Sequence, residues 1–245
     1  MKTKLVIWGA GGHGKVAADT ASAIGCYDEI VFLDDDPARQ GELVLGFPVM
    51  GARDELAGML SGWEAFIAIG DNRSRVAACR HAMSLGLHLA TLRHPLAAVS
   101  RFASVARGTL IMPRVVINAG ARIGMDCIVN TGAIVEHDCI VQDSVHVSPA
   151  VCIGGGARIE EGTHLGIGAI VLPGVRIGAR CVVGAGSVVR HDLPADVVAA
   201  GVPARIIRYK SHADSSFESQ HNGAGETRGI GSTLDAASLT RSEAS

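Results

Sequence analysis

From Val99 onward an aliphatic residue returns at every sixth position: Val99, Val105, Ile111, Ile117, Ile123, Val129, Val135, Val141, Val147, Ile153, Ile159, Leu165, Val171, Ile177, Val183 and Val189. The residue four positions further on is small throughout, from Ala103 and Thr109 to Cys181 and Ser187. The register holds without a slip for about 90 residues, which marks a repeat architecture. A hexapeptide is one short strand plus a turn, and three of them close a triangular coil. Stacked coils pair in parallel at about 4.8 Å. The aliphatic position then points inward, and the small one sits where the walls crowd together. Gly120, Gly132, Gly156, Gly162, Gly168, Gly174 and Gly186 each precede a small residue, where the turn calls for positive φ. Cys127, Cys139, Cys152 and Cys181 fall on or beside inward positions and read as small core fillers.

The first ninety residues follow another rhythm. Lys4–Gly9 is a continuous apolar strand that runs into Gly9-Ala10-Gly11-Gly12-His13-Gly14-Lys15, and an Ala-rich helix follows over Val16–Ile24. A second strand, Glu29–Leu33, ends in Asp34-Asp35-Asp36-Pro37. A third, Ala65–Ile69, ends in Gly70-Asp71-Asn72-Arg73, with a helix to about Leu85. Strand, glycine-rich turn, helix, strand and acidic end describe a Rossmann-like βαβ unit, whose ligands bind at the carboxyl ends of the strands. The fold class is therefore α/β plus β. An N-terminal Rossmann-like half domain (1–95) precedes a parallel β-helix of hexapeptide repeats (96–191). A C-terminal segment (192–210) and a tail (211–245) follow; the tail's composition predicts disorder.

Composition narrows the function. Of 245 residues, 48% are hydrophobic, enough for a core; 31 are glycine and only 4% aromatic, which fits a thin, regular interior. A formal net charge of −2 lacks the basic excess that nucleic-acid binding needs. No apolar run approaches a membrane span, and the N-terminus lacks a signal-peptide pattern, so no membrane insertion is expected. Six scattered cysteines without a C-x-x-C pair suit a reduced cytoplasm and give no zinc ribbon.

Three polar turns gather at the ligand end of the N-terminal unit. Gly9, Gly11 and Gly14 satisfy G-x-G-x-x-G, and an acid follows at dinucleotide spacing. Against NAD(P), the unit is half a dinucleotide fold and no substrate domain of the usual kind follows. A mononucleotide or nucleotide sugar fits the space better. Gly11, Gly12 and His13 are placed to meet phosphate, and Asp35 or Asp36 to accept from a ribose hydroxyl or a base. Gly70, Asn72 and Arg75 complete the expected substrate surface. The competing reading of the acidic run is a solvated turn capped by Pro37.

The stretches Gly9–Val16, Phe32–Asp36, Ala68–Arg75, Glu136-His137-Asp138-Cys139 and Gly201-Val202-Pro203-Ala204 resemble the PglD/NeuD family of sugar acyltransferases, over about residues 4–208. The resemblance implies a left-handed β-helix, a homotrimer, acetyl-CoA as donor and a nucleotide-activated amino sugar, a 4-amino-deoxy sugar, as acceptor. It places the general base on His137 and sets His146 against the acetyl thioester. Asp138, at the family's acidic position, orients the imidazole in preference to Glu136. His146, Gly155, His164, Ile167 and Ala185 are expected to meet acetyl-CoA, and no metal is expected. Direct transfer without an acyl-enzyme is the simpler route.

The spacing adds geometry. His137 and His146 are half a coil apart, so they project from opposite sides of one prism. If both serve one reaction, the site lies between subunits. His146 and His164 are a full coil apart and stack; Gly155 stacks over His137, bare enough to let a ligand reach the backbone. The alternatives are sugar O-acetylation, a zinc enzyme of the γ-carbonic anhydrase type, for which the histidines lack a close pair, and a non-catalytic β-helix scaffold with a nucleotide-sensing domain.

Overall fold

A computed structural model describes residues 3–55 and 62–210; the 211–245 tail expected from composition lies outside them. In the N-terminal half the strands are β1 (Thr3–Trp8), β2 (Tyr27–Leu33), β3 (Leu43–Val44), β4 (Phe47–Gly51), β5 (Trp63–Ile67) and β6 (His88–Leu89). The helices are α1 (Gly12–Ile24) and α2 (Asn72–Ser84). The sheet order is β3-β4-β2-β1-β5-β6, parallel except for the β3–β4 hairpin. Unbroken hydrophobicity in β1 reflects burial on both faces. Leu5 and Ile7 pack with Ala17, Ala18 and Ala21 of α1, while Val6 and Trp8 pack with Ala78, Cys79 and Ala82 of α2. Successive strands leave β1 in opposite directions, so the crevice between the ends of β1 and β5 is the topological switch point.

Helix α1 starts at Gly12, one turn before the expected Val16. A Cβ on Gly14 would lie only 2.0 Å from the Gly9 carbonyl oxygen, so helix and strand approach at van der Waals contact there. The glycine run is thus the cap and first turn of the helix.

The second half is a left-handed parallel β-helix with three walls. The first wall carries the strands that begin at Leu92, Leu110, Ile128, His146, His164 and Val182. The second carries those at Ala98, Val116, Ile134, Cys152, Ile170 and Val188, and the third those at Ser104, Arg122, Ile140, Arg158 and Arg176. The second residue of each pair points inward, and from Ile111 to Val189 all of these are buried. At the corners from Gly108 to Gly186, the position before the small residue is left-handed whatever its identity, as at Gly132 (φ 68°) and Asp138 (φ 59°).

The helix starts one strand before the 96 boundary, at Leu92–Arg93. Arg93 stands where the frame asks for an inward aliphatic, which hides this rung. The 192–210 segment continues the first wall as a hairpin, Val197–Gly201 with Ala204–Tyr209.

The outward faces differ sharply. Leu92, Leu110 and Ile128 on the first wall are buried beneath the N-terminal domain. The second wall presents Ala98, Val116, Ile134, Cys152, Ile170 and Val188, and the third presents Ser104, Arg122, Ile140, Arg158 and Arg176.

Candidate active site

His137 and Asp138 occupy the corner between the second and third walls. The left-handed conformation at Asp138, which aspartate tolerates better than most residues, turns its carboxylate back onto the preceding side chain. Asp138 Oδ2 lies 2.9 Å from His137 Nδ1. Glu136 instead accepts from the His137 backbone N–H at 3.4 Å, in keeping with the preference for Asp138. The pair is solvent-facing: the side chains are 66% and 72% exposed. Gly155 lies one coil above, and a Cβ there would be 2.5 Å from His137 Nε2. The imidazole therefore rests in the space a side chain would fill. Cys139 points inward, its thiol donating to the Gly154 carbonyl at 3.2 Å, and burial pushes its pKa up.

A second cluster lies on the first wall. His146 and His164 stack with ring centroids 4.7 Å apart and planes within 9°. His164 Nε2 pairs with Ser148 Oγ at 2.9 Å, a partner that the repeat frame treats only as a corner residue. The His146 ring nitrogens are buried and make no hydrogen bond of good geometry, and the same is true of His13 Nε2 from the first turn of α1. Burial, then the neighbouring His164 and Arg75, hold the His146 pKa down at about 2; the Gly70 carbonyl beside the ring pulls weakly the other way. Burial and Arg75 lower that of His13 to about 4. Both are neutral at pH 7. His13 faces this cluster rather than only the phosphate shelf expected for it. Ile167, 61% exposed, and Ala185 follow at the corner after the first wall, joined through the Gly186 N–H to Ile167 carbonyl bond.

His137 and His146 are thus on different sides of the prism, and Gly155 goes with His137, apart from the other four expected donor-binding residues. The three histidines of the zinc alternative do not converge, and no group of three potential metal ligands occurs among the described residues.

At the sheet end, Gly11 and Gly12 form an open shelf. α1 has no side-chain cap there, so its first amides point at the crevice, an arrangement suited to phosphate. The acidic run is largely structural. Asp34, at the head of the run, accepts from the Ala10 and Asp36 backbone amides at 2.8 and 3.0 Å. Asp35 pairs with Arg53 at 2.8 Å, and Asp36 caps the short helix Pro37–Arg39.

Two expected substrate ligands are corrected. Arg75 is 1% exposed and its guanidinium is taken up by protein acceptors. Asn72 is likewise engaged, its amide donating to the Gly162 carbonyl at 2.9 Å and its Oδ1 accepting from Arg75. Neither presents a group to the crevice; Gly70 remains at its edge.

The PglD N-terminal domain profile matches residues 4–81, and the bacterial transferase hexapeptide profile, six repeats, matches 156–191. The acetyltransferase domain of PglB from Neisseria gonorrhoeae, solved with acetyl coenzyme A, is 41% identical, covers 84% of this chain and 100% of its own, and superposes with a TM-score of 0.80. PerB from Caulobacter crescentus, solved with CoA and GDP-perosamine, is 42% identical over 85% of this chain and 99% of its own, with a TM-score of 0.77. WeeI from Acinetobacter baumannii, 24% identical over 84% of this chain and 100% of its own, shares the fold with a TM-score of 0.72. With two domains matched in the same order and relatives aligned over nearly their whole length, the chain belongs to the PglD-like family of hexapeptide-repeat sugar N-acetyltransferases.

Proposed function

We propose that this protein transfers the acetyl group of acetyl-CoA to the amino group of a nucleotide-activated amino sugar. The observation that carries the reading is the His137–Asp138 pair, an exposed imidazole held at 2.9 Å by a carboxylate on a corner where only glycine rises above it. The bound acetyl-CoA of the PglB domain and the CoA and GDP-perosamine of PerB support the two substrates.

The chemistry follows from the geometry of the pair. In the tautomer that carries its proton on Nδ1, His137 donates to Asp138, which leaves Nε2 as the base. As the sugar amine attacks the thioester carbonyl, Nε2 takes its proton, the C–N bond forms, and the C–S bond breaks as the tetrahedral intermediate collapses. The thiolate leaves and recovers a proton. His146, kept neutral by burial and stacked on His164, stands on the donor side of the reaction, against the thioester. Cys139 has its thiol turned inward and its pKa raised, which favours direct transfer over an acyl-enzyme.

A homotrimer is part of the proposal. His137 and His146 of one chain face different directions, so a shared reaction draws them from neighbouring subunits. The second wall supports this: its outward ladder is aliphatic or small on six successive rungs, whereas the third wall carries arginines. Placement in the cytoplasm rests on the six free cysteines and the substrates.

The deciding experiment is His137→Ala, with acetyl transfer followed by free thiol release. The expected loss in kcat is about 10²–10⁴-fold with folding intact, and Asp138→Asn costs less. A His137→Ala enzyme retaining about half its activity overturns the assignment. A thermal-shift panel of UDP-, GDP-, dTDP- and CMP-ligands identifies the nucleotide, since a tight ligand raises the unfolding midpoint.

A further inference from the structure

Arg75 is the largest fully buried side chain among the described residues, and its contacts divide between the two halves of the protein. On the N-terminal side, Nη1 donates to the Ile69 and Gly70 carbonyls at 3.2 Å each, and Nη2 to Asn72 Oδ1 at 2.9 Å. On the β-helix side, Nη2 donates to the Ser144 carbonyl at 3.0 Å, and Nε to the Asp126 carbonyl and carboxylate at 3.2 Å. The Asp126 carboxylate also accepts from Ser144 Oγ at 2.9 Å and from the Cys79 thiol at 3.0 Å. Asn72 then reaches the Gly162 carbonyl. Residues 126, 144 and 162 occupy the same corner on three successive coils, so the turn spans two rungs, about 10 Å.

This corner leads directly into the strand that carries His146, and the Gly70 carbonyl held by Arg75 lies beside the His146 ring. The apolar contact between the halves does not define their alignment as sharply. Leu92, Leu110 and Ile128 form a ladder on which packing one rung higher or lower meets a similar surface. A planar guanidinium with five donors aimed at fixed carbonyls does discriminate between rungs. Buried ion pairs add little net stability, but fixing register is their best-attested use.

We propose that Arg75, with Asn72 and Asp126, is a positioning residue that sets the height and angle of the nucleotide-sugar domain over His146. It thereby fixes where the acceptor amine meets the thioester, without touching the nucleotide. The inference rests on the acetyltransferase reading.

The test compares Arg75→Lys and Asn72→Ala with the wild type in steady-state kinetics, nucleoside-diphosphate calorimetry and amide hydrogen exchange. Lysine keeps the charge but cannot span the carbonyls. Arg75→Lys is expected to lower kcat by about 10²-fold, because ångström misplacement of reactants costs that much. Both KM values and the Kd for UDP or GDP stay within about 3-fold of the wild type, since each half-site is intact. Asn72→Ala, which strands no charge, lowers kcat by about 10-fold and decides the matter if Arg75→Lys does not fold. Wild-type kcat in the folded variants overturns the proposal, as does a tenfold weaker nucleotide affinity with kcat intact. A wild-type enzyme that transfers no acetyl group to any nucleotide-activated amino sugar overturns the acetyltransferase reading instead. Hydrogen exchange then judges the clasp: faster exchange confined to residues 69–75 and the facing corner in Asn72→Ala upholds it, and unchanged exchange overturns it.

Discussion

Gly155→Ala is the smallest change that should reach the chemistry. The backbone there is not left-handed, so alanine meets no conformational penalty. The obstacle is His137. A Cβ at position 155 would lie 2.5 Å from Nε2 and 2.8 Å from Cε1, where ordinary contact begins near 3.4 Å. The ring must retreat by roughly 1 Å. It can do so only by tilting on a corner where its Nδ1 is tied to Asp138 at 2.9 Å, so either the tie or the aim of Nε2 is lost. A misplacement of that size costs about 10²-fold in rate, close to the loss from removing the base. The site is exposed, so stability should move by less than about 0.5 kcal/mol. The assay is thiol release at saturating acetyl-CoA with varied acceptor, beside a melting curve. The expected result is a kcat down by about 10–100-fold with the melting curve unmoved. A Gly155→Ala enzyme with wild-type kcat would show that the resting place of the imidazole over Gly155 has no part in catalysis.

If the second wall is the seam of the proposed trimer, Ile134→Glu or Ile170→Glu should leave monomers in sedimentation and abolish turnover, while the circular dichroism of the β-helix is retained. His146→Gln should weaken handling of the acetyl donor, read as a higher KM for acetyl-CoA with a smaller change in kcat. The buried histidines also predict a pH dependence. Their folded pKa values, about 4 for His13 and about 2 for His146, lie below the unfolded value of 6.5. The unfolded chain therefore binds more protons below pH 6.5. Stability is full above that pH and falls as pH drops toward 4, by at most about 1.4 kcal/mol per pH unit for each histidine. Urea midpoints measured from pH 7 to 4.5 should fall more steeply in the wild type than in His146→Phe, and parallel lines would refute the neutral-histidine account.

Much of this molecule is legible in its sequence because the β-helix is a one-dimensional repeat, each rung fixed by the same steric demand. The six-residue frame locates the inward residues, the turn positions and the departure at Glu136-His137-Asp138. The stacking of His146 on His164 and of His137 over Gly155 follows from the period alone. The frame fails where a residue answers to the other domain. Arg93 interrupts the aliphatic series at the first rung, where Leu92 packs beneath the N-terminal sheet. Arg75 and Asn72 follow a strand end in a ligand-binding topology, and sequence cannot distinguish a cation facing solvent from one facing backbone carbonyls on two coils of the distant β-helix. His13 reads from sequence as a phosphate ligand, and the burial of its Nε2 beside the β-helix is not visible there. The carboxylates Asp34 and Asp35 show the same limit, since their partners Ala10 and Arg53 lie far along the chain.

The separation of His137 from His146 on the prism has a genetic counterpart. In the cyclic trimer proposed above, each site would take one histidine from one subunit and the other from its neighbour. A His137→Ala homotrimer and a His146→Ala homotrimer are both impaired, yet they carry complementary lesions. When the two chains are unfolded together and reassembled, every mixed trimer, whatever its ratio, contains one junction at which both histidines are native. Random assembly from equal amounts should therefore restore about one quarter of the wild-type sites from two defective parents. A double variant with both lesions on one chain, mixed with wild type, should behave as a dominant poison instead.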